Sequence, residues 1–178
     1  MLDRVTTEIN DITSIAYPTQ MEEARQGFVS ALRKFVMVDL AVEMREDFEA
    51  GAKGDYKNRH GSEPVTPRLV KRAMETRTFY RCWSSLRYNA QEMVWASVQG
   101  GIERSLPELI KVARIAADAN PAGGSLRLNP DLEIPRYVST LDVHLMPGCY
   151  NVEHTDDDVA QGAVLAYGGD VFKGGFRH

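Results

Sequence analysis

Cysteine is scarce in this chain. Only Cys82 and Cys149 occur among 178 residues, far apart and in no metal-ligand spacing. That excludes a disulfide framework and a cysteine zinc site, and it suits a reducing compartment. Long apolar runs are missing too. None approaches the roughly 20 residues that a spanning helix needs, so no membrane association is expected. The start, MLDRVTTEIND, has neither the basic residues nor the apolar run of a secretory leader, so a cytoplasmic location is expected. A phosphate-binding glycine loop is also lacking. Gly168-Gly169 and Gly174-Gly175 have neither the spacing nor the preceding buried strand that such a loop requires.

What is present describes a folded, charged protein. Hydrophobic residues make up 43% and charged residues 26%, enough for one domain with a buried core and too apolar for a disordered chain. The net charge of −4 is unevenly spread: residues 1–89 hold 14 Lys/Arg and 13 Asp/Glu, and residues 90–178 hold 7 and 12. The most basic stretch, residues 68–87, carries Arg68, Lys71, Arg72, Arg77, Arg81 and Arg87 against Glu75 alone. It reads as a solvated helix face, or as a binding surface for a phosphate or an acidic partner. A sequence pI of about 5.6 and the absence of any recognisable motif argue against nucleic acid.

Apolar periodicity predicts a mainly α fold. Residues 3–16 read as a short helix through Val5, Ile9, Ile12 and Ala16. Tyr17-Pro18 ends it, because the residue before a proline is pushed out of helical geometry. Thr19 and Glu22 have the spacing of a capping box and open a longer helix. Its end is predicted at Gly51. Within it, residues 35–42 are apolar at almost every position, which suggests burial on more than one side. Residues 51–66 read as a polar loop containing His60. Thr66-Pro67 starts another helix, with proline at the first helical position. A further helix is predicted over 79–101, with Trp83, Leu86, Ala90, Met93, Val94 and Ser97 on one face and Gly100-Gly101 at its end. Ser105, Pro107 and Glu108 then announce a separate helix to about residue 119.

The grammar changes after Asn120-Pro121. In residues 136–146, Tyr137, Ser139, Leu141, Val143 and Leu145 alternate with Val138, Thr140, Asp142, His144 and Met146, which predicts a strand. Pro147-Gly148 breaks it. Thr155 and the aspartates 156–158 predict a last helix carrying Val159, Ala163, Val164 and Tyr167, closed by Gly168-Gly169. The expected organisation is a helical, bundle-like domain over 1–120 and a short mixed α/β tail over 125–178 with one strand and one helix.

Titratable groups concentrate between residues 142 and 158. On a strand, Asp142 and His144 face the same way, and a carboxylate that orients an imidazole is a common device in general-base catalysis and around metals. Cys149, Tyr150, Glu153 and His154 follow. Three chemistries compete with a purely structural role. His144, His154 and a carboxylate have the composition of a metal site, in the reverse of the usual order. Cys149 and His154 could pair as nucleophile and base, without a nameable third group. Asp142, His144, Tyr150, Glu153 and His154 could line a small-molecule pocket, with Tyr150 as an aromatic lid.

Two segments carry a family resemblance. FYRCWSSLRYNAQEMVWASV (residues 79–98) and PRYVSTLDVHLMPGCYNVEHTDDDVAQGAVL (residues 135–165) resemble the N-terminal region of a bacterial family of class I S-adenosylmethionine-dependent methyltransferases. The positions concerned are Gln91, Glu92, Met93 and Trp95, then Asp142, Val143, His144, Met146, Pro147, Gly148 and Tyr150. The likeness covers roughly residues 65–170. It implies a helical domain for substrate capture or dimerisation, not catalytic alone, leading into a doubly wound cofactor domain that this chain lacks. It assigns S-adenosylmethionine to the full-length protein only, with none expected for this chain, and places Asp142, His144, Tyr150 and Glu153 nearest the cofactor domain. The partners expected are a small-molecule substrate and a second copy in a homodimer. The alternatives are a stand-alone helical protein-interaction module, with residues 35–42 against a second copy, and a small His/carboxylate metalloenzyme.

Overall fold

The computed structural model describes residues 15–119, 127, 129, 131–148 and 158–174. Among them all the regular structure is helical, with no strand. Helix α1 (Gln20–Lys34) opens on the expected capping box: the Thr19 hydroxyl accepts from the Glu22 amide, and the Glu22 carboxylate accepts from the Thr19 amide. Both otherwise orphaned N–H groups are thereby satisfied. Arg104 clamps the same carboxylate at 2.9 Å and binds the Tyr17 carbonyl. Those contacts hold the Glu22 carboxyl down to about 2, with the Arg104 hydrogen bond the largest cause.

The rod that begins with α1 does not stop at Gly51. It continues through a π-helical turn (Phe35–Asp39), α2 (Leu40–Asp47), a second π turn (Phe48–Ala52) and α3 (Lys53–His60). Only Gly61, at φ 77°, ends it, as a left-handed glycine usually does. The predicted loop is therefore helical over its first ten residues, and His60 is exposed at the last turn. Ala52 and Tyr56 explain why: one turn apart, they bury a stripe too narrow to register as periodicity. Gly51 lies under the Arg77 guanidinium, where a Cβ would come within 3.1 Å of Nη2. Arg77 in turn pairs with Asp47 and Asp55. Each π turn interrupts the regular bonding ladder, and at the first one the Trp83 indole N–H donates to the Val36 carbonyl at 2.8 Å.

Helix α4 (Pro67–Met74) starts at the predicted Thr66 cap, packs on the second half of the rod and buries Ala73 and Met74. Helix α5 (Thr78–Ala119) is the spine of the molecule. It absorbs two predicted helices, because neither Gly100-Gly101 nor Pro107 breaks it. The two glycines are packing positions: a Cβ on Gly100 would meet Glu22 at 3.2 Å, and one on Gly101 would meet the Ala16 carbonyl at 3.7 Å. They let the entry to α1 lie close against the spine.

The predicted strand is corrected. Residues 136–146 form a short helix α6 (Arg136–Ser139) and a single 3-10 turn (Val143–Leu145). Tyr137 and Leu141 are about two-thirds exposed, so the face they would share on a strand is not a buried one. The mixed α/β tail is therefore absent among the described residues. Helix α7 (Ala160–Gly174) runs straight through Gly168-Gly169, which the sequence suggested as its end. The N-terminal segment 3–16 and the aspartates 156 and 157 lie outside the described residues, apart from Ile15 and Ala16.

Three helices, α1, α5 and α7, enclose the main core. Val29, Val94, Trp95, Val98, Ile102, Met146, Val164 and Val171 are its buried centre. At about 1.5–3 kcal/mol for each large apolar side chain removed from water, this cluster is the principal source of stability. The core thus draws on residues from both sides of the 120–125 segment.

Trp95 sets the spacing of the α5–α7 contact. A Cβ built on Gly168 would lie 2.5 Å and 2.7 Å from two carbons of the indole. The next residue, Gly169, has nothing within 4 Å. Alanine favours an exposed helix interior over glycine by about 1 kcal/mol, whereas overpacking a core contact costs about 1–3 kcal/mol. Gly168→Ala is therefore expected to destabilise the protein and Gly169→Ala to leave it unchanged or more stable. Chemical denaturation of both variants checks this; equal effects would remove the packing role of Gly168.

Candidate functional site

A cleft of about 900 Å³ opens between α5 and α7. Helix α5 contributes Ser84, Arg87, Tyr88, Gln91 and Trp95, and α7 contributes Leu165, Gly169, Phe172 and Lys173. These positions recur at three- and four-residue spacing, so each helix presents one face to it. The 3-10 turn closes the cleft with His144 and Leu145. Its size is in the range of small-molecule sites.

The turn is held by side chains, not by a ladder. Trp95 Nε1 donates to the His144 carbonyl at 2.9 Å, and Gln91 Nε2 donates to the same oxygen at 3.2 Å. The Leu145 amide closes the turn on the Asp142 carbonyl at 2.8 Å. Met146 is fully buried in the main core and anchors the exit. Between these fixings, His144 has φ 60° and Leu145 φ 58°. Left-handed backbone costs an ordinary residue roughly 1–2 kcal/mol. Such strain persists where the surroundings over-determine it, and it concentrates at functional sites.

Beneath the turn is a buried arginine. Arg33 is only 4% exposed. Its Nη1 donates to Gln91 Oε1 at 2.7 Å, and its guanidinium carbon stands 3.7 Å from the centre of the Phe172 ring. Phe172 also stacks on Trp95, with ring centres 6.4 Å apart and planes 20° from parallel. Burial, and after it the nearby Arg87 charge, lowers the affinity of the Arg33 guanidinium for its proton. Arginine nevertheless keeps its charge when buried. Gln91 thus bridges a buried cation and the strained carbonyl. Arg87 stands 5.6 Å from the Trp83 ring.

The electrostatic character is consistent. Arg87 and Lys173 line the cleft and Arg33 lies behind it, while no described lining residue is a carboxylate. The basic stretch 68–87 therefore divides by role. Arg77 ties helices together through Asp47, and Arg87 faces the cleft.

Of the five residues expected to line a pocket, His144 does so, with an exposed side chain. Asp142 is exposed at the start of the turn and is not among the described lining residues. The same-face pairing of Asp142 and His144 depended on a strand and lapses with it. Tyr150, Glu153 and His154, like Cys149, lie outside the described residues. The described residues contain no cluster of three metal-ligating side chains and no helix long and apolar enough to cross a membrane. Sequence reasoning missed Arg33, Tyr88, Phe172 and Lys173. The available signal was the face of α5 beside its most buried stripe, at positions 84, 87, 88, 91 and 95.

Compared with protein-family models, with curated proteins and with solved structures, the chain gives no match.

The strained turn makes a measurable demand. Glycine adopts the left-handed region without a Cβ penalty, and the His144 carbonyl that receives both side-chain bonds survives substitution. His144→Gly is expected to keep the fold and gain up to about 1 kcal/mol in stability. Denaturant titration measures it; a loss above that magnitude would mean that the imidazole itself holds the turn.

Proposed function

We propose that this chain is the substrate-binding N-terminal domain of an S-adenosylmethionine-dependent methyltransferase, and that it is not catalytic alone. One observation carries the reading. The two stretches that bear the resemblance, around Gln91 and Trp95 and around His144, meet at a single atom: both side-chain N–H groups donate to the His144 carbonyl. Residues 49 or more positions apart in sequence are thereby joined into one wall of one cleft.

The division of labour follows from the lining. Tyr88 and Leu165, both exposed, supply flat and apolar surface that displaces water from a substrate, with half-buried Phe172 also in the lining. Gln91 and Trp95 fix the turn, so the His144 imidazole is presented from a rigid frame. Such positioning is how a binding domain contributes to rate, by holding an acceptor in an attacking geometry. The cofactor is not assigned to this cleft, because Arg87 and Lys173 would repel its sulfonium.

The test uses the longer polypeptide encoded by the same reading frame, supplied with S-adenosylmethionine labelled in the methyl group. His144→Ala and Tyr150→Phe are each expected to lower methyl transfer about a hundredfold, the lower end of the range for loss of one acid-base group. Unchanged rates in both, or a reading frame that encodes no cofactor domain, would end the proposal.

A second reading, a module acting through contact between copies, has the surface of the rod in its favour. Met21, Phe28 and Phe35 stand seven residues apart along α1 and its first π turn, all exposed, with exposed Val38 and Val42 beyond. Within residues 35–42, Val36 alone is fully buried. Light scattering at tens of micromolar is expected to give a dimer that Phe28→Glu dissociates. A monomer under those conditions would discard the second reading.

A further inference from the structure

We infer that the α5–α7 cleft takes an organic anion: a carboxylate or phosphate carried on a flat aromatic body. The inference rests on the reading of this cleft as a substrate site and adds the chemical class of the ligand.

The chain as a whole is acidic, at −4, yet this cleft is lined by Arg87 and Lys173 and by no described carboxylate. A third cation, Arg33, is buried behind Phe172. At the cleft Arg87 and Lys173 stand on facing helices, and Arg87 is close enough to Arg33 to disfavour its charge. Gathering cations at a concave, partly apolar surface raises the local concentration of anions. An arginine fork and a lysine point charge both suit carboxylate and phosphate oxygens.

The remainder of the lining specifies the body of the ligand. Tyr88, Trp95 and Phe172 are aromatic, Leu145 and Leu165 are aliphatic, and Gly169 leaves its part of the wall open. Tyr88 is the exposed ring of this wall and offers a face for a flat ring to stack on, while Trp95, 4% exposed between Gly168 and Phe172, closes the wall without a free face. Ser84, Gln91 and His144 offer polar contacts at the margin. A small free anion would leave the aromatic wall unused, and a neutral arene would leave the cations unused.

Titration calorimetry on the full chain, followed in parallel by the fluorescence of a Trp83→Phe variant in which Trp95 is the one tryptophan left, tests the assignment with three probes of one shape. 1-Naphthoate and 1-naphthyl phosphate are expected to bind saturably, and more weakly as salt is raised. 1-Naphthamide is expected to bind at least tenfold more weakly. Arg87→Ala and Lys173→Ala, both on exposed side chains, should each weaken naphthoate binding about fivefold while circular dichroism is unchanged; Arg68→Ala, outside the lining, should not. Equal binding of the amide, an equal effect of Arg68→Ala, or no saturable binding of either anion overturns the inference. Methyl transfer to a neutral acceptor by the longer polypeptide, with no anion binding, would keep the methyltransferase reading and remove this one. Anion binding with no methyl transfer would do the reverse.

Discussion

The indole of Trp95 is the point on which the rest of this structure depends. Its ring lies on the bare backbone of Gly168, stacks on Phe172 and is 4% exposed. Its one polar atom reaches out of the core to the His144 carbonyl. A tryptophan buries more apolar area than any other side chain but must find a partner for its N–H. Here both needs are met at one position. The apolar ring fixes the distance between α5 and α7, and the N–H fixes the turn that closes the cleft between them. Core packing and site geometry are consequently a single problem, and a change that moves the ring moves both.

The strained turn follows from this. Two consecutive non-glycine residues in left-handed backbone would ordinarily relax. They are kept there by two donors on one carbonyl and by Met146, which has no exposure at all. Burying Met146 stabilises by an amount comparable to the strain. Gln91 extends the chain of cause inward, because its oxygen occupies one nitrogen of the buried Arg33. An amide oxygen and an aromatic face stand against the charge of Arg33. That arrangement holds a cation close to the cleft.

How far the sequence disclosed this depends on the range over which each signal acts. The Thr19–Glu22 box and the Thr66-Pro67 start are local, and both stand in the structure. The inward face through Ala90, Val94 and Ser97 is periodic, and those residues are buried. The failures share a different cause. Gly51, Gly100, Gly101, Gly168 and Pro107 read as punctuation, and each lies inside a helix. What overrides their local preference is a distant group against the backbone: Arg77 at Gly51, Glu22 at Gly100, Trp95 at Gly168. No window of adjacent residues contains that information. The alternation of residues 136–146 failed because a period of two over so short a span also fits a turn of short helical pieces, when Met146 alone of the described residues on either face is buried. His144 was found for the wrong geometric reason, as half of a same-face pair. Lys173 and Phe172 were missed because the predicted helix stopped before them.

Gly168 and Gly169 show how the same helix makes both a core and a cleft. They are adjacent, so they point about 100° apart around α7. The first faces α5 and admits a ring into the space that a side chain would occupy. The second faces the cleft and leaves it open. Substituting a large residue at the first would push the helices apart, and at the second would fill the site without touching the core. On α5 the corresponding boundary falls between Val94, fully buried, and Gln91, which lines the cleft. The cleft is thus the place where the face of each helix turns from apolar packing to cations and amides. A ligand that continues the core's own chemistry on one side and ends in a negative charge on the other would complete both helices at once.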